Sequence, residues 1–577
     1  MRRVAGLVPA PTLPLSRVPP FLLSTEEGWT GGSLEGLRPY ALLCLLCLLL
    51  YAPGLAAIPP LDRDEARFAQ ATRQMLETGD FIRIRFQDEA RNKKPVGIHW
   101  LQAASVTAFS TPESPAIWPY RLPSATAATV AVLLTFAFGT RLLGSRLASF
   151  IGAVLLASGL GLVAEAHVAK SDAALLAAVV AGQGALGSVY TAVRTGRPVP
   201  RSLLLVFWVA EAVATLFKGP PGPLLARLTV TALSIADRDV RWIRQLRPIA
   251  GVFVALLIVA PWIVAIELAT DGGFLSDSIL HDLLPKVIGA QESHGAPPGS
   301  YAVVVIAGFW PGSLFIVPAL AVGLRRSHAP AQRFLLAWLV PAWILLELVP
   351  TKLPHYVLPL YPALALLAGY ALAEGFDKPF SGVGRLFDSV VKVLWGLVTA
   401  AFAAALIAAP VWFCGIYSPA ALVAAALLLG LTLLLLWRAS PPLRVAGFVA
   451  ALAASSVLPA ALAVIPELDP LWLSRSAAAL VAQQPPARAK VVMSVGYSEP
   501  SLVFLLGTRT RLVTAAPGDL QLRGAGLALV NDYYDAEFRQ SLAARGLGTR
   551  AIDSVTGLDY SAGGRRLVMT LYDLEPH

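Results

Sequence analysis

A long polar loop, Leu61–Trp100, carries the side chains of this sequence that are best suited to chemistry. Its paired carboxylates and its cations are Asp64, Glu65, Arg67, Lys93 and Lys94. A carboxylate can move a proton or hold a cation. Lysine and arginine can bind a phosphate and stabilise it as it leaves. These residue types therefore indicate acid–base chemistry beside an anionic, phosphate-bearing group.

The first part of the loop, DRDEARFAQATRQMLETGDF, predicts an amphipathic helix, because its apolar residues are compatible with one helical face. Its first-turn carboxylates suit the positive end of the helix dipole. Arg67 follows Asp64 by about one turn and is placed to orient that carboxylate. A capped surface helix explains the same pattern, so the functional interpretation depends on the rest of the chain.

Polar residues also interrupt the apolar segments that follow the loop. They are Asp172 in KSDAALLAA, Lys218 in FKGPPGPLL, His294 in QESHGAPPG, and Lys352, His355, Tyr356 and Tyr361 in TKLPHYVLPLYP. For the first three a structural explanation is available, namely helix capping, membrane anchoring or an isolated histidine. The fourth group is stronger evidence, because a polar cluster between prolines at membrane depth requires a cavity to line.

The elements that must position these residues are membrane helices. Hydrophobic residues make up 56% of the chain and charged residues 14%, with a mean hydropathy of +0.65, whereas a soluble domain carries about 25% charged residues. The sequence therefore predicts a polytopic α-helical membrane protein. The net charge of +10 is a topology signal rather than an indication of nucleic-acid binding. No HExxH, Walker A or G-x-S-x-G motif is present, which argues against zincins, P-loop enzymes and serine hydrolases.

About thirteen apolar runs, from Tyr40–Ala57 to Val445–Ile465, predict transmembrane helices. A cytoplasmic N-terminus places the arginine-rich loops on one side, as the positive-inside rule requires. The opposite, outer side carries at most one lysine in each short loop, and it holds the polar candidates. The basic loop Leu61–Trp100 is an exception on that side. We therefore expect its charges to serve a site or an anionic surface.

Three regions are predicted along the chain. Residues 1–38 are expected to form a disordered cytoplasmic N-terminus. Residues 39–465 are expected to form a transmembrane catalytic domain whose outer loop and juxtamembrane helices occupy 60–110. An odd number of spans places residues 466–577 outside the membrane as a small soluble α/β domain. Its strands are expected at 489–495, 510–514, 526–531 and 567–573, with helices at Glu499–Leu506 and Asp535–Arg545.

The segments DRDEARFA, KKPVGIHWL, KSDAALLA, FKGPPGPLL and TKLPHYVLPLYPALALL occur in this order over residues 60–365. Together they resemble the membrane glycosyltransferases of the GT-C fold, most closely the aminoarabinose–lipid A transferase-like branch, which is related to the protein mannosyltransferases. The resemblance implies a polytopic helical GT-C domain in the bacterial inner membrane, with its C-terminal domain in the periplasm. It also implies sugar transfer from a polyprenyl-phosphate donor to a lipid, glycan or protein acceptor.

The resemblance implies that Asp64 is the catalytic carboxylate of the first loop and that lysines hold the donor phosphate. Together with the polar pattern, it gives the expected catalytic residues Asp64, Glu65 and Asp172. The expected ligands of the donor phosphate are Arg67, Lys94, Lys218 and Lys352. The expected residues of the substrate cavity are Lys93, His294, His355, Tyr356 and Tyr361.

The resemblance leaves a divalent cation open as a cofactor, with His294 and Asp172 as weak candidate ligands. In the lipid A branch an acidic residue precedes the loop lysine, but Lys93 stands at that position here. Lys93 argues against a metal ion shared with His294, and the cofactor stays open.

One carboxylate without an evident covalent nucleophile predicts single displacement with inversion at the sugar. A lipid-linked sugar transporter or flippase is the alternative function. Transporters usually contain repeated halves and sites at the bilayer midplane, whereas the polar residues here lie at one face. A binding or assembly protein without catalysis is the third interpretation. The sequence leaves open the sugar (a pentose or a hexose), the acceptor and the role of the C-terminal domain.

Overall fold

The structure is a computed structural model that describes residues 34–289, 295–374, 382–437, 441–486, 491–513 and 526–576. Most of the N-terminal segment predicted to be disordered lies outside these ranges, as does the predicted cavity residue His294. The described chain is mainly helical up to residue 482, apart from one short hairpin, and then contains both strands and helices.

The helices from the N-terminus to the middle of the chain are α1 (Arg38–Tyr51), α2 (Asp64–Thr78), α3 (Gly97–Phe109), α4 (Trp118–Leu143), α5 (Arg146–Ser158), α6 (Leu160–Ala166), α7 (Asp172–Arg194), α8 (Arg201–Lys218), α9 (Pro221–Asp237), α10 (Pro248–Ala269), α11 (Gly273–Ser276) and α12 (Leu284–Ile288). A π-helical turn, Asp277–Leu283, joins the last two. The next helices are α13 (Ser300–Gly308), α14 (Ile316–Arg325), α15 (Pro330–Leu348), α16 (Tyr361–Ala373), α17 (Val383–Cys414), α18 (Pro419–Trp437) and α19 (Pro442–Pro459).

Among the described residues, eight helices are long and apolar enough to cross a membrane, or up to nine if one bent pair is counted. The bent pair is α5 and α6, which meet at an angle of 60°. A polytopic helical protein is therefore confirmed. Each of the thirteen predicted runs contains a helix, but α1 has only 14 residues and the run at 301–323 is broken between α13 and α14. The count of thirteen spans stays a prediction.

The outer loop consists of α2, a short hairpin of β1 (Arg85–Phe86) and β2 (Glu89–Ala90), and α3. The predicted amphipathic helix is confirmed as α2, which begins at Asp64 and buries Ala66, Ala69 and Met75. Gly79 ends this helix with φ 71°, a left-handed conformation that favours glycine. α3 lies in the range predicted for juxtamembrane helices, and its exposed Leu101 and Phe109 suit a membrane surface.

The last part of the chain forms a five-stranded sheet that we call the sheet unit, residues 473–576. Its elements are α20 (Leu473–Ala482), β3 (Val492–Val495), α21 (Pro500–Leu506), β4 (Arg511–Val513), β5 (Leu527–Asn531), α22 (Asp535–Ala543), β6 (Leu547–Asp559) and β7 (Arg565–Pro576).

The strand order is β4-β3-β5-β7-β6, with β3 parallel to both of its neighbours and β7 antiparallel to both of its neighbours. The four predicted strands and both predicted helices are present. Strand β6 was not predicted, because this edge strand has the sequence LGTRAIDSVTGLD, which contains no continuous apolar run.

Candidate active site

Five charged or titratable side chains form one cluster at the ends of the membrane helices that face the outer loop. Asp172 is the first residue of α7, Lys218 is the last residue of α8, and Glu165 lies on α6. Lys170 directly precedes α7, and His355 lies in the 3-10 turn Pro354–Leu360. Gly219, at φ 77°, then turns the chain back into α9, so that Lys218 stays at the helix end. We call this group the charge cluster.

The side chains of the charge cluster form alternating ion pairs. Lys218 Nζ donates to Asp172 Oδ1, and Lys170 Nζ lies 3.3 Å from Glu165 Oε1. His355 lies between the two acids, with Nδ1 3.9 Å from Glu165 Oε1 and Nε2 3.8 Å from Asp172 Oδ1. Each of the five side chains is at most 17% exposed. These charges are therefore weakly screened by water and interact strongly.

One carboxylate oxygen of the charge cluster is available to bind a ligand. Glu165 Oε2 is buried and has no hydrogen-bond partner among the described residues. Tyr356 stands beside the cluster, with its ring 5.4 Å from Lys218 Nζ and 5.0 Å from the His355 ring. This aromatic face and the free carboxylate oxygen are suited to a sugar, which presents both apolar faces and hydroxyl groups.

Asp64 lies near the charge cluster. Its side chain is 59% exposed, and Arg91 Nη2 lies 3.6 Å from Asp64 Oδ1. Burial alone would lower the pKa of Lys170, but the carboxylates of Glu165, Asp172 and Asp64 raise it. Asp64 is therefore near enough to act on the charge cluster and remains open to a substrate. Its exposure fits the catalytic role predicted for it.

A second cationic group, which we call the lysine pair, lies beside the charge cluster. Lys94 Nζ lies 3.0 Å from Asp282 Oδ2, and Lys286 Nζ lies 2.6 Å from Asp282 Oδ1. Burial, together with the ammonium groups of Lys286 and Lys218, lowers the pKa of Lys94 to about 8, although Asp282 opposes that shift. Asp282 thus holds one oxygen against each lysine, as a phosphate group would. The predicted phosphate ligands Lys94 and Lys218 are brought to one region.

Glu65 has a different environment from its neighbour Asp64. Both of its carboxylate oxygens bind Arg121, with Nε–Oε1 and Nη2–Oε2 distances of 2.7 Å. The two oxygens also accept from the backbone N–H groups of Ala169 and Leu61, both at 2.8 Å. The side chains of Glu65 and Arg121 are 1% and 0% exposed. This geometry assigns Glu65 to holding the loop in place rather than to the catalytic role predicted for it.

Arg121→Met is expected to lower the free energy of unfolding by about 3–5 kcal/mol, because it leaves the Glu65 carboxylate buried and unpaired. Adding Glu65→Leu to Arg121→Met should recover part of this loss, since the double variant contains no uncompensated charge. Thermal unfolding of the detergent-purified protein measures both effects, with the exposed Arg83→Met as control. A double variant less stable than Arg121→Met would contradict this account.

Two predicted site residues lie elsewhere. Lys352 Nζ donates to the carbonyl oxygens of Glu347 at 2.9 Å and Val349 at 2.7 Å, and so closes the end of α15 instead of facing a phosphate. Tyr361 is buried in helix packing, with its hydroxyl against Gly308, where a Cβ atom would collide with it. The tyrosine therefore fills the core rather than the cavity.

The remaining predicted residues Lys93 and Arg67 are both exposed on the outer loop. Lys93 does not share the buried setting of its neighbour Lys94. Arg67 lies on the turn after Asp64, as predicted, and its direct contact with a phosphate stays a prediction.

Sequence reasoning missed four residues that the structure brings to the site: Arg91, Arg121, Glu165 and Asp282. A usable signal existed for Glu165 and Arg121, because ionisable residues at the ends of apolar segments are costly and tend to be functional or paired. No local pattern marked Asp282, whose role depends on where its segment folds.

The described residues contain no group of three or more histidine, cysteine or acidic side chains that could hold a metal ion. Asp172, a weak candidate ligand, is occupied by Lys218, and His294 lies outside the described residues. The described residues therefore offer no such donor set, and no step of the chemistry below depends on a divalent cation.

An apolar groove of about 560 Å³ runs between α3, α4, α7 and α8. Leu101, Leu134, Val213 and Phe217 are among its lining residues. Phe217 directly precedes Lys218, so one end of the groove adjoins the charge cluster. A hydrocarbon chain in this groove would bring a polar head group to the lysines.

The fold and the site together define a polytopic membrane protein with a cluster of buried charges at the ends of its helices. Residues 93–264 match the family model of dolichyl-phosphate-mannose-protein mannosyltransferase. The structure is similar to the crystal structure of ArnT from Cupriavidus metallidurans bound to undecaprenyl phosphate, with a TM-score of 0.69, 20% identity, and coverage of 93% of this chain and 98% of that chain. It is also similar to an Archaeoglobus fulgidus oligosaccharyltransferase, with a TM-score of 0.52, 10% identity, and coverage of 85% and 66%. The GT-C fold predicted from the sequence is confirmed.

Curated relatives agree with this resemblance. The chain is 28% identical over 343 residues to the undecaprenyl phosphate-alpha-4-amino-4-deoxy-L-arabinose arabinosyl transferase of Pseudomonas paraeruginosa, covering 57% of this chain and 59% of that protein. It is 28% identical over 370 residues to a Pseudomonas fluorescens protein of the same description, covering 61% and 64%. The chain thus spans less than two thirds of the length of these relatives. The resemblance to the aminoarabinose transferase branch is confirmed.

Proposed function

We propose that this protein is an integral membrane glycosyltransferase that moves a sugar from a polyprenyl-phosphate donor to an acceptor at the outer face of the bacterial inner membrane. The observation that carries the proposal is the convergence of an exposed carboxylate, Asp64, with the charge cluster and the lysine pair. A pentose is the first sugar to consider, because the curated relatives are described as aminoarabinose transferases. The acceptor is a lipid, a glycan or a protein.

The proposed division of labour follows from the charges that develop during transfer. Breaking the bond between the sugar and the phosphate places negative charge on the leaving phosphate and positive charge on the sugar. Lys94 and Lys218 stabilise the phosphate, since preorganised cations in a water-poor site are effective at this task. The carboxylates of the charge cluster lie where they can stabilise the cationic sugar.

Asp64 acts on the acceptor in this proposal. If the acceptor is a hydroxyl group, the Asp64 carboxylate takes its proton as a general base. If the acceptor is already an anionic phosphate, Asp64 instead orients it or stabilises the sugar cation. In either case the acceptor attacks in one displacement, which inverts the configuration at the sugar. Analysis of the anomeric configuration of the product tests this step, and retention would refute it.

The orientation of the protein is also part of the proposal. The positive-inside pattern supports a cytoplasmic N-terminus, which places Asp64, the charge cluster and the sheet unit in the periplasm. This orientation can be tested by replacing the exposed residues Asp88 and Arg238, one at a time, with cysteine. The two positions lie on opposite expected sides of the membrane, and the cysteines are labelled with a membrane-impermeant reagent. In sealed, outward-facing cells we expect the cysteine at position 88 to be labelled and the cysteine at position 238 to remain unlabelled.

The decisive experiment is transfer by the purified full-length protein in proteoliposomes. Radiolabelled polyprenyl-phosphate sugars are supplied with membrane extract as the source of acceptors, with and without a chelator. We expect label to move to a new acceptor, whose identity follows from where the label appears. Passage of intact donor across the membrane without cleavage would instead favour the flippase alternative.

Narrowing the apolar groove should weaken use of long-chain donors. Val213→Trp fills the groove beside Phe217 and is expected to raise the KM for a long-chain donor about tenfold. A donor with a short, water-soluble chain should be unaffected, because it does not need the groove. Val264→Trp, on the exposed face of α10, is the matched control. Equal effects on both donors would exclude the groove as the chain site.

A further inference from the structure

The sheet unit contacts the two residues of the outer loop that precede the proposed catalytic residue in the chain. The Asp62 backbone N–H donates to the Tyr560 hydroxyl at 2.8 Å, and the Ser501 hydroxyl donates to the Asp62 carboxylate. Arg63 donates through its guanidinium to the backbone carbonyl of Ser561. The two residues that directly precede Asp64 in the chain are therefore both held by the sheet unit.

The backbone between these contacts and Asp64 has an unusual conformation. Arg63 has φ 60° and ψ −108°, outside the regions that residues with a side chain normally adopt. Such a conformation persists only where surrounding contacts determine it. The contacts that flank Arg63 come from Tyr560 and Ser561 at the hairpin tip between β6 and β7 and from Ser501 on α21.

Further contacts hold the rest of α2 against the same unit. Arg73 Nη1 donates to the carbonyl oxygen of Phe504 at 2.7 Å, and Gln70 Nε2 donates to the Thr508 hydroxyl at 2.7 Å. The Thr508 hydroxyl in turn donates to Glu77 Oε2 at 2.7 Å. The sheet unit therefore contacts the residues just before α2 and the second half of this helix.

The interface at Asp62 is acidic as well as polar. Burial raises the pKa of Asp62 to about 7, and the carboxylates of Glu499 and Asp559 add to this rise, while the hydrogen bond from Ser501 opposes it. A protonated Asp62 is thus accommodated among these acids near neutral pH. Arg63 and Arg67 partly offset the acids, because both lie near enough to act electrostatically on Glu499.

We propose that the sheet unit is a positioning element for catalysis: Ser501 and Tyr560 hold Asp62, and thereby fix the Arg63 backbone that aims Asp64 at the charge cluster. This proposal rests on the proposed function, in which Asp64 acts on the acceptor. In this proposal Ser501 and Tyr560 contact neither substrate, and they affect turnover only by positioning Asp64.

The test uses the full-length protein in proteoliposomes. Tyr560→Phe removes the oxygen that accepts from the Asp62 N–H, and Ser501→Ala removes the donor to the Asp62 carboxylate. Each is expected to lower kcat about tenfold with KM for donor and acceptor unchanged, because a misplaced catalytic group affects turnover more than binding. Ser501→Thr keeps the hydroxyl and should restore kcat. Tyr533→Phe changes an exposed tyrosine of the same unit and should match the wild type.

A readout that a purely structural role would not produce is non-additivity. In an Asp64→Glu background, whose carboxylate is already misplaced, Tyr560→Phe should lower kcat less than twofold further. Thermal unfolding of each variant should stay near that of the wild type.

The outcomes separate this inference from the proposed function. Wild-type kcat in both Tyr560→Phe and Ser501→Ala would overturn the inference. A raised acceptor KM with unchanged kcat would also overturn it, because the unit would then bind the acceptor. Absence of sugar transfer by the wild type with every donor would instead refute the proposed function.

Discussion

Asp64→Asn is expected to lower kcat for sugar transfer by about 10²–10⁴-fold, the range that a positioned acid or base contributes. The substitution keeps the size of the side chain but removes its charge and its ability to take a proton. Since Asp64 is exposed and is paired only loosely with Arg91, the fold should tolerate the change. We therefore expect unchanged donor binding together with lost turnover.

The measurement is transfer of labelled sugar alongside equilibrium binding of the donor. Asp88→Asn removes an exposed carboxylate from the same loop and should match the wild type, which makes it the matched control. If Asp64→Asn retained a kcat within about threefold of the wild type, Asp64 would not be the general base, and an acceptor that arrives already anionic would become the stronger explanation.

Lys94→Gln is the second substitution with a large expected effect. Removing one cation that stabilises a leaving phosphate is expected to lower kcat/KM by about 10²–10³-fold. Its neighbour provides an unusually close control, because Lys93 is exposed whereas Lys94 points to Asp282. Lys93→Gln should stay within about twofold of the wild type. Equal losses in the two variants would show that the general positive charge of the loop matters, rather than the lysine pair.

The shifted pKa of Lys94 adds a pH dependence to this prediction. Burial lowers its pKa to about 8 in the free protein, and the cationic form, present below that pH, is the one that holds a phosphate. The kcat/KM profile should therefore be high below about pH 8 and fall above it. Lys94→Arg, which keeps its charge at higher pH, should move this fall to higher pH. If Lys94→Arg had the same pH profile as the wild type, a group other than Lys94 would be responsible for the fall in kcat/KM.

The sequence was most informative where a residue's role depends on its neighbours along the chain. The charged first turn and apolar spacing predicted α2, and the apolar runs predicted the membrane helices. Lys218 and Asp172 were identified because each stands at the end of an apolar segment, and the structure pairs them with each other.

The failures have one physical cause, namely that a side chain's partner is set by the fold. Glu65 and Asp64 are adjacent and chemically alike, but successive residues of a helix point about 100° apart, so one is buried against Arg121 and the other is exposed. Lys352 donates to carbonyl groups at the end of α15, and this partner depends on how the chain turns after the helix. Asp282 reaches Lys94 across 188 positions of the chain, which no local pattern records.

The same long-range contacts bear on how the protein is made. The outer loop emerges early in synthesis, but Glu65 must wait for Arg121, 56 residues later, and for Ala169, 104 residues later. Asp62 must wait for Tyr560, 498 residues later. A ribosome that has produced all the membrane helices has therefore not yet supplied the last contacts of the loop. Maturation of the site should therefore depend on synthesis of the sheet unit, so nascent chains would stay inactive in the membrane until the sheet unit folds.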